Sequence, residues 1–539
     1  MAVDVAGSSK TKRLIAIGNN DLWYEDIDVA AGTMVVLTAS VNQIDTSKQL
    51  WAFELYGKVF IVNGTNRKVA DFVNVKITTT NVGTHPPDFS TLLTGGTSGA
   101  KMVVDYITAL SSAVTIYGRR TTTATFSNGE TVTGTDDDDN AISFTTTVEV
   151  AGPHWYNWTP FGNSSTFGVI PDTLTLGCAW NGRAVVAGNE ADPNQWYMIK
   201  QGNPWSFIYV TGLVGGAVSG EEAEAGKSGD IIVAVIPHSR DYLVFGCANT
   251  IWYLAGDPTT GGTNITLDNV GGILDSQAWC KDRNDNTYIL ATTGLLRVSP
   301  EFGKPENLLE ETYPDFLKDL AFDGSLHRVV MGYDRARHGI KIAKTVLTTG
   351  VTTGFWYDLR SGGLFPEVYP EECGIYSMFD YQAIDPDYNG LLHGGKDGYV
   401  RVEVDTAKDD DIGLVDEAID SYVTFGPLAL SQGNKEGVIH SLIGELTGGA
   451  TSGSEQDSND VAFKIFTARS ADEISEQLAA NSGQKVSGTL PASGRPRGSA
   501  KKRRVRGVFA GIRIGNSTAA QTWGLERLLV DSEEKGRVK

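Results

Sequence analysis

The feature that most constrains this chain is a repeat of strand, turn, strand and turn. The clearest copy runs from Gly182 to Tyr209, GRAVVAGNEADPNQWYMIKQGNPWSFIY. Arg183 to Ala187 reads as a buried strand, with a turn at Gly188-Asn189. Asp192-Pro193-Asn194 reads as a second turn, before an aromatic strand from Gln195 to Lys200. A break at Gly202-Asn203-Pro204 closes the unit. Strands joined by such short turns pair as hairpins in an antiparallel sheet.

The same layout returns along the chain. An inner apolar strand starts near residues 57, 182, 241, 286, 338 and 389, and residues 13–26 supply one more unit. Setting aside about 77 residues of insert, the period is roughly 45–50 residues, with three or four strands per unit. Each unit exposes a sheet face that it cannot bury alone, and radial stacking buries those faces. The fold class expected is therefore all-β: a β-propeller of about seven blades, with six or eight as the alternatives.

Two stretches leave the rhythm. Residues 74–150 are rich in Thr, Gly and Ser. They carry Gly95-Gly96-Thr97-Ser98-Gly99-Ala100 and then Phe126-Ser127-Asn128-Gly129-Glu130-Thr131-Val132-Thr133-Gly134. This pattern resembles small β modules inserted in phage structural proteins, and implies an inserted β-barrel or sandwich. From Lys408-Asp409-Asp410-Asp411 onward the strands change spacing, and residues 408–539 read as a C-terminal β-sandwich platform. The expected division is 1–73 for an N-terminal arm and first blades, 74–150 for the insert, 151–407 for the remaining blades, and 408–539 for the platform. Glu301–Leu320, with Leu308, Leu309, Phe316, Leu317 and Leu320 among acids, reads as one or two short helices linking blades.

Composition narrows the function. The formal net charge is -20, which argues against a general duplex-DNA binder. Cys178, Cys247, Cys280 and Cys373 form no C-x-x-C pair, so they read as apolar core residues. The N-terminus lacks the apolar core of a signal peptide, and no run approaches the roughly 18 apolar residues of a membrane span. The expectation is a soluble product of a cytoplasm.

Motifs for chemistry are sparse. Gly226-Lys227-Ser228 lacks the first P-loop glycine, has Glu221, Glu222 and Glu224 beside it, and precedes a strand. Asp385, Asp387 and Asn389 match half of a calcium loop, but position twelve is Lys396. They are weak metal candidates beside a turn reading, as are Asp282, Asn284 and Asn286, and the acids Asp136 to Asp139. Among His85, His154, His238, His327, His338, His393 and His440 no metal or catalytic-triad spacing occurs. No cofactor and no catalytic residue is expected. Arg495, Arg497, Lys501, Lys502, Arg503, Arg504 and Arg506 form a basic cluster in an acidic protein. They read as a contact with an acidic neighbouring chain, against a solvated loop or a nucleic-acid or membrane contact.

One resemblance joins these readings. Ala187-Gly188, Pro193, Trp196 and Gly202-Asn203-Pro204-Trp205-Ser206-Phe207 resemble the tail nozzle proteins of short-tailed bacteriophages, also called tail tubular B or tail stabilisation proteins. The resemblance extends loosely over residues 13–404. It implies a structural virion protein, made in the host cytoplasm and placed in the tail. It also implies a hexameric ring below the tail adaptor, through which double-stranded DNA passes without specific binding. An acidic body suits that passage, because strong phosphate contacts would hold the genome. Two other classes stand beside it: a glycan-binding tail-tip propeller, using aromatics such as Trp155, Tyr156 and Trp158, and a propeller glycoside hydrolase.

Overall fold

The computed structural model describes residues 1–5, 11–26, 32–267, 269–383, 385–404, 407–412, 416–431, 435–447, 458–492 and 505–537. The chain is all-β, as its repeat predicts. The described residues divide into two compact units, 1–367 with 371–403, and 368–370 with 404–539.

The first unit contains seven small antiparallel sheets, the blades of the propeller. Blade 1 is Ala2–Val5, Thr11–Gly18, Asp21–Glu25 and Met34–Val36. Blade 2 is Trp51–Leu55, Lys58–Val62 and Arg67–Asp71, completed by His154–Asn157. Blade 3 is Leu176–Trp180, Arg183–Asn189, Asp192–Met198 and Val218–Ser219. Blade 4 is Ile232–Ile236, Tyr242–Cys247, Ile251–Ala255 and Thr263–Thr266. Blade 5 is Trp279–Lys281, Thr287–Ala291, Gly294–Val298 and Glu306–Asn307. Blade 6 is His327–Asp334, Gly339–Val346, Thr352–Asp358 and Leu364–Val368. Blade 7 is Ile375–Tyr381, Gly390–Gly395 and Val400–Val402.

The second strand of a blade is covered on both faces, which is why it reads as a continuous apolar run rather than an alternation. Lys58–Val62 and Thr287–Ala291 are buried at every position. The ring closes between blades 7 and 1, where the Tyr381 hydroxyl donates to the Glu25 carboxylate. Gln49 stands just before the first strand of blade 2, and Ser276 just before the first strand of blade 5. Gln49 Nε2 donates to Ser276 Oγ at 2.8 Å. The loops that precede the first strands of blades 2 and 5 are thus bonded to each other.

The insert enters between the third and fourth strands of blade 2. Its sheet has the order Ala141–Thr145, Thr131–Thr135, Leu92–Gly95, Lys101–Ile107, Ser112–Arg120 and Val75–Asn81. Its two edges meet: Thr147 N donates to Thr78 O at 2.9 Å, and Lys76 and Val150 exchange backbone bonds. Such closure removes the exposed strand edge. Alternate residues of Ala141–Thr145 point inward, Ile142 and Phe144 among them, as a half-buried strand requires.

The second unit packs two sheets. One has the order Ser421–Ala429, Phe509–Asn516, Val461–Ala468 and Val486–Leu490. The other has Val505–Gly507, Lys435–Leu446 and Leu525–Arg537. Ile439 and Leu442 from the second meet Phe463, Ile465, Ile512 and Ile514 from the first. The helix Ala471–Ala479 carries Ser470 as its cap, accepting from Glu473 N, and buries Ile474 and Leu478.

Of the one or two short helices expected over 301–320, one forms, Phe316–Leu320, and Glu306–Asn307 is a strand. Pro305 and Pro314 interrupt the stretch, and a helix interior tolerates neither. The turn expected at Asp192-Pro193-Asn194 lies within the strand Asp192–Met198. A register shift between Ala187 and Asn189 moves the hairpin tip to Glu190-Ala191. Pro193 then sits beside a bulge, where its missing N–H breaks no ladder bond.

Candidate functional site

The unit that carries the nozzle resemblance is a structural seat. Its strand Arg183–Asn189 begins after a tight turn at Asn181-Gly182, both at positive φ. Gly188 occupies the bulge at φ +77, where a Cβ would lie 2.1 Å from Thr175 Oγ1. Trp196 is fully buried, donates from Nε1 to Gly226 O at 3.1 Å, and stacks on Phe245 of blade 4.

The Gly202–Phe207 segment receives the insert. Asn203 Oδ1 accepts from Trp205 N at 3.0 Å, which sets the turn. Pro204 O accepts from Trp158 Nε1 at 3.0 Å, and Trp205 O accepts from Phe161 N at 3.0 Å. The Trp205 ring lies 4.4 Å from the ring of Tyr106, a residue of the insert. Phe60, Trp158 and Phe207 complete an aromatic cluster in one core.

Beside this cluster is a buried polar junction that sequence reasoning missed. Lys58 of blade 2 pairs with Asp105 of the insert at 2.8 Å. Burial by itself lowers the Lys58 pKa, but Asp105, Asp71 and Glu54 outweigh it and raise the pKa. Asn74 Nδ2 donates to Asp71 Oδ2 at 2.7 Å and to Asp105 Oδ2 at 2.6 Å, and Tyr156 OH donates to Asp71 Oδ2 at 2.8 Å. The one available signal was a lysine inside the apolar strand KVFIV.

The insert has its own internal anchor. Glu130 is buried, and its carboxylate accepts from Thr97 N at 3.1 Å, Ser98 N at 2.9 Å and Ser127 N at 2.5 Å. Burial raises its pKa, and these bonds outweigh that and hold it below the ordinary value. The Gly95–Ala100 and Phe126–Gly134 segments are thus one feature, a glycine-rich loop wrapped on one carboxylate.

The remaining candidates are placed as follows. Arg506 is exposed on the strand Val505–Gly507. Arg495, Arg497, Lys501, Lys502, Arg503 and Arg504 lie outside the described residues. Asp385 accepts from Asp387 N and caps a short 3-10 turn that ends at Asn389. Asp282 accepts from Asn284 N and Asn286 N, and Asp136 accepts from Asp138 N and Asn140 N. Each of these carboxylates closes a turn through nearby N–H groups. Among the described residues, no group of three or more His, Cys, Asp or Glu converges with metal-binding geometry. Of the aromatics considered for sugar stacking, Tyr156 and Trp158 are buried, and Trp155 is half-buried with Lys68 Nζ over its ring. All four cysteines are buried thiols.

Chemically charged groups also meet between blades 6 and 7. The buried Lys341 ammonium pairs with Glu367 of blade 6 at 3.0 Å and with Glu403, which follows blade 7. Arg337 reaches Glu403 at 2.6 Å and stacks over Trp356. This network ties the last blade to its neighbour.

No family model matches the chain, and no curated protein matches it. Solved structures match with weak geometry. The extracellular domain assigned to a one-component system of B. thetaiotaomicron is 9% identical, with a TM-score of 0.26, over 96% of this chain and 84% of that one. The exo-beta-1,3-galactanase of Phanerochaete chrysosporium is 9% identical, with a TM-score of 0.17, over 85% and 100%. PorZ, a surface component of the type-IX secretion system of Porphyromonas gingivalis, is 12% identical, with a TM-score of 0.19, over 73% and 64%. Likeness this distant carries no argument about activity.

Proposed function

We propose that this chain is a structural, non-catalytic component of the tail of a short-tailed bacteriophage. In this reading it forms the nozzle, a homohexameric ring below the tail adaptor, through which double-stranded DNA leaves without specific binding. The observation that carries the reading is the place of the residues on which the resemblance rests. Trp196, Trp205 and Phe207 are buried, Gly188 and Gly202 have positive φ, and Pro204 accepts from Trp158. A pattern made of such residues reports architecture: Trp196 packs on Phe245 of blade 4 and Trp205 on Tyr106 of the insert. It does not report a transferable surface motif.

The charge supports the same reading. A net charge of -20 opposes retention of a polyanion as it passes. On this reading the DNA path runs through an assembly of several copies. On this reading Arg506 and its basic neighbours in the sequence meet acidic surface on an adjacent chain. The proposal is tested by the mass and images of the purified chain in solution. A ring with a central channel supports it, and a persistent monomer opposes it.

A further inference from the structure

A charge-free apolar surface is built from two stretches of the first unit. Residues 160–171 lead from blade 2 to blade 3, and residues 201–220 run from the third strand of blade 3 through its fourth. Charged residues make up 20% of the chain, and neither stretch holds one. Phe207 N donates to Phe167 O at 2.7 Å, and Gly168 pairs with Phe207 in parallel. This pairing sets Val169 beside Ile208. Val210 lies on the same side as Ile208, two positions on along an extended chain, and Leu213 and Val214 stand at the loop tip. Phe207 turns inward and is 1% exposed, whereas these five side chains are 42% to 77% exposed.

The loop is held by its backbone. Gly212 N donates to Thr259 O of the neighbouring blade 4 loop at 2.8 Å, and Gln201 N donates to Gly215 O at 2.8 Å. Gly216 N donates to Leu213 O at 2.8 Å, and Val210 N to Ala217 O at 3.1 Å. Arg183 Nη1 adds a bond to Gly216 O at 3.4 Å. None of these bonds uses one of the five apolar side chains. A loop held in this way loses little conformational freedom when it is covered.

Single exposed apolar residues are ordinary, but a group of them marks an interaction site. A stable interface takes about 800 Å² from each partner, with an apolar centre depleted of charge and a polar rim. The five side chains supply such a centre, and the exposed Asn163, Ser165 and Thr166 supply rim. The net charge of -20 decides the partner. A basic partner is drawn to carboxylates, and this surface offers it none. A second copy carries the same -20 and is repelled wherever acidic surfaces meet. It approaches closely where charge is absent, and these two stretches provide that.

We infer that this surface is a contact between neighbouring copies of the chain, with Leu213 and Val214 at its centre. The inference rests on the ring reading proposed above and adds to it. The basic segment supplies charge pairing, and this surface supplies the apolar part of the contact.

The test compares the full chain with Leu213→Asp, Val214→Asp and the double variant, by light scattering across a concentration series. Hydrogen exchange is followed at the Thr211, Leu213 and Val214 amides, which make no backbone hydrogen bond among the described residues. The substituted side chains are exposed, so the variants should melt with the parent, which separates lost assembly from lost fold. Val214→Ile keeps the apolar surface and should assemble like the parent. The parent should assemble, with exchange at these amides slowed as it does. Each aspartate should raise the concentration for half-assembly by about tenfold or more, because like charges brought together across an interface are strongly unfavourable. Assembly that survives the double variant overturns this inference and leaves the ring reading standing. Assembly into a species other than a ring, lost in the double variant, upholds the inference and counts against the ring. A parent that stays a monomer overturns the inference. So does exchange that slows only when a tail adaptor from a short-tailed phage is added, which would give the surface to that partner.

Discussion

Lys58 and Asp105 join two parts of the molecule, the second blade and the inserted module, through a buried pair at 2.8 Å. The insert is therefore held by a specific charge contact as well as by the aromatic packing of Tyr106 on Trp205. Removing one partner leaves an uncompensated buried charge, which costs about 3–5 kcal/mol. Lys58→Ala should lower stability by that order in urea denaturation. The double variant Lys58→Met with Asp105→Leu should recover most of the loss, because Asn74 keeps Asp71 as an acceptor. Equal losses for the single and double variants would show that the ion pair does not hold the insert.

Glu130 should make the insert acid-sensitive. Its pKa in the folded state lies below its unfolded value. Its stabilising contribution is then fully present above the unfolded carboxylate pKa, about 4.3, and is lost as pH falls through the folded value. Hydrogen exchange of the Gly95–Ala100 amides should rise as pH drops through that window, after correction for intrinsic rates. Glu130→Gln should flatten this dependence and cost about 1.5–3 kcal/mol at neutral pH, the range for hydrogen bonds to a charged group. Unchanged protection in the variant would refute the anchor.

Gly188 holds the bulge that lets Pro193 lie within a strand. Gly188→Ala would combine positive φ with a Cβ 2.1 Å from Thr175 Oγ1. Left-handed backbone alone costs about 1–2 kcal/mol for a residue with a Cβ. The melting temperature should fall, and Thr175→Ala should restore only the steric part. A variant as stable as the parent would mean that the bulge relaxes freely.

Three buried histidines, His154, His238 and His393, predict a second pH effect, in the propeller itself. His154 and His393 have pKa values lowered from 6.5 to about 4, in each case chiefly by burial. Lys76 pushes His154 the same way and Asp71 opposes; for His393, Lys341 and Arg337 push down while Glu367 and Asp334 oppose. Both rings stay neutral in the folded chain at neutral pH. The unfolded chain binds their protons first, so stability is complete above about 6.5 and declines as pH falls toward about 4. Urea midpoints measured across this range should drop, and His154→Gln should reduce the slope. A flat profile would contradict the burial of neutral imidazoles.

The repeat made the blades legible because a twice-covered strand must be continuously apolar, and Val59–Val62 and Ile289–Ala291 are. The starts of these inner apolar strands gave the spacing, from which about seven blades were expected, with six or eight as alternatives. The bulge at Gly188 was not legible, since Asp-Pro-Asn has turn chemistry whether or not tertiary pairing extends the strand through it. The leucines over 301–320 signalled a short helix, and it forms after the second of two prolines, at Phe316–Leu320. The seat of the insert could not be read either. Lys58 and Asp105 are 47 positions apart, and although a lysine heading the apolar run KVFIV stands out, nothing local names its partner. The bond from Asn181 to Arg240 O depends on two hairpin tips being neighbours, which local pattern does not encode.

The most direct measurement is the solution mass of the intact chain by light scattering, with negative-stain images of the same peak. The account predicts rings of about six copies around a central channel, as the nozzle resemblance implies. Rings that fall apart when Arg506 and the basic residues 495–504 are reversed to acids would assign the contact. A chain that remains a monomer at high concentration, and also when mixed with a tail adaptor from a short-tailed phage, would contradict the nozzle.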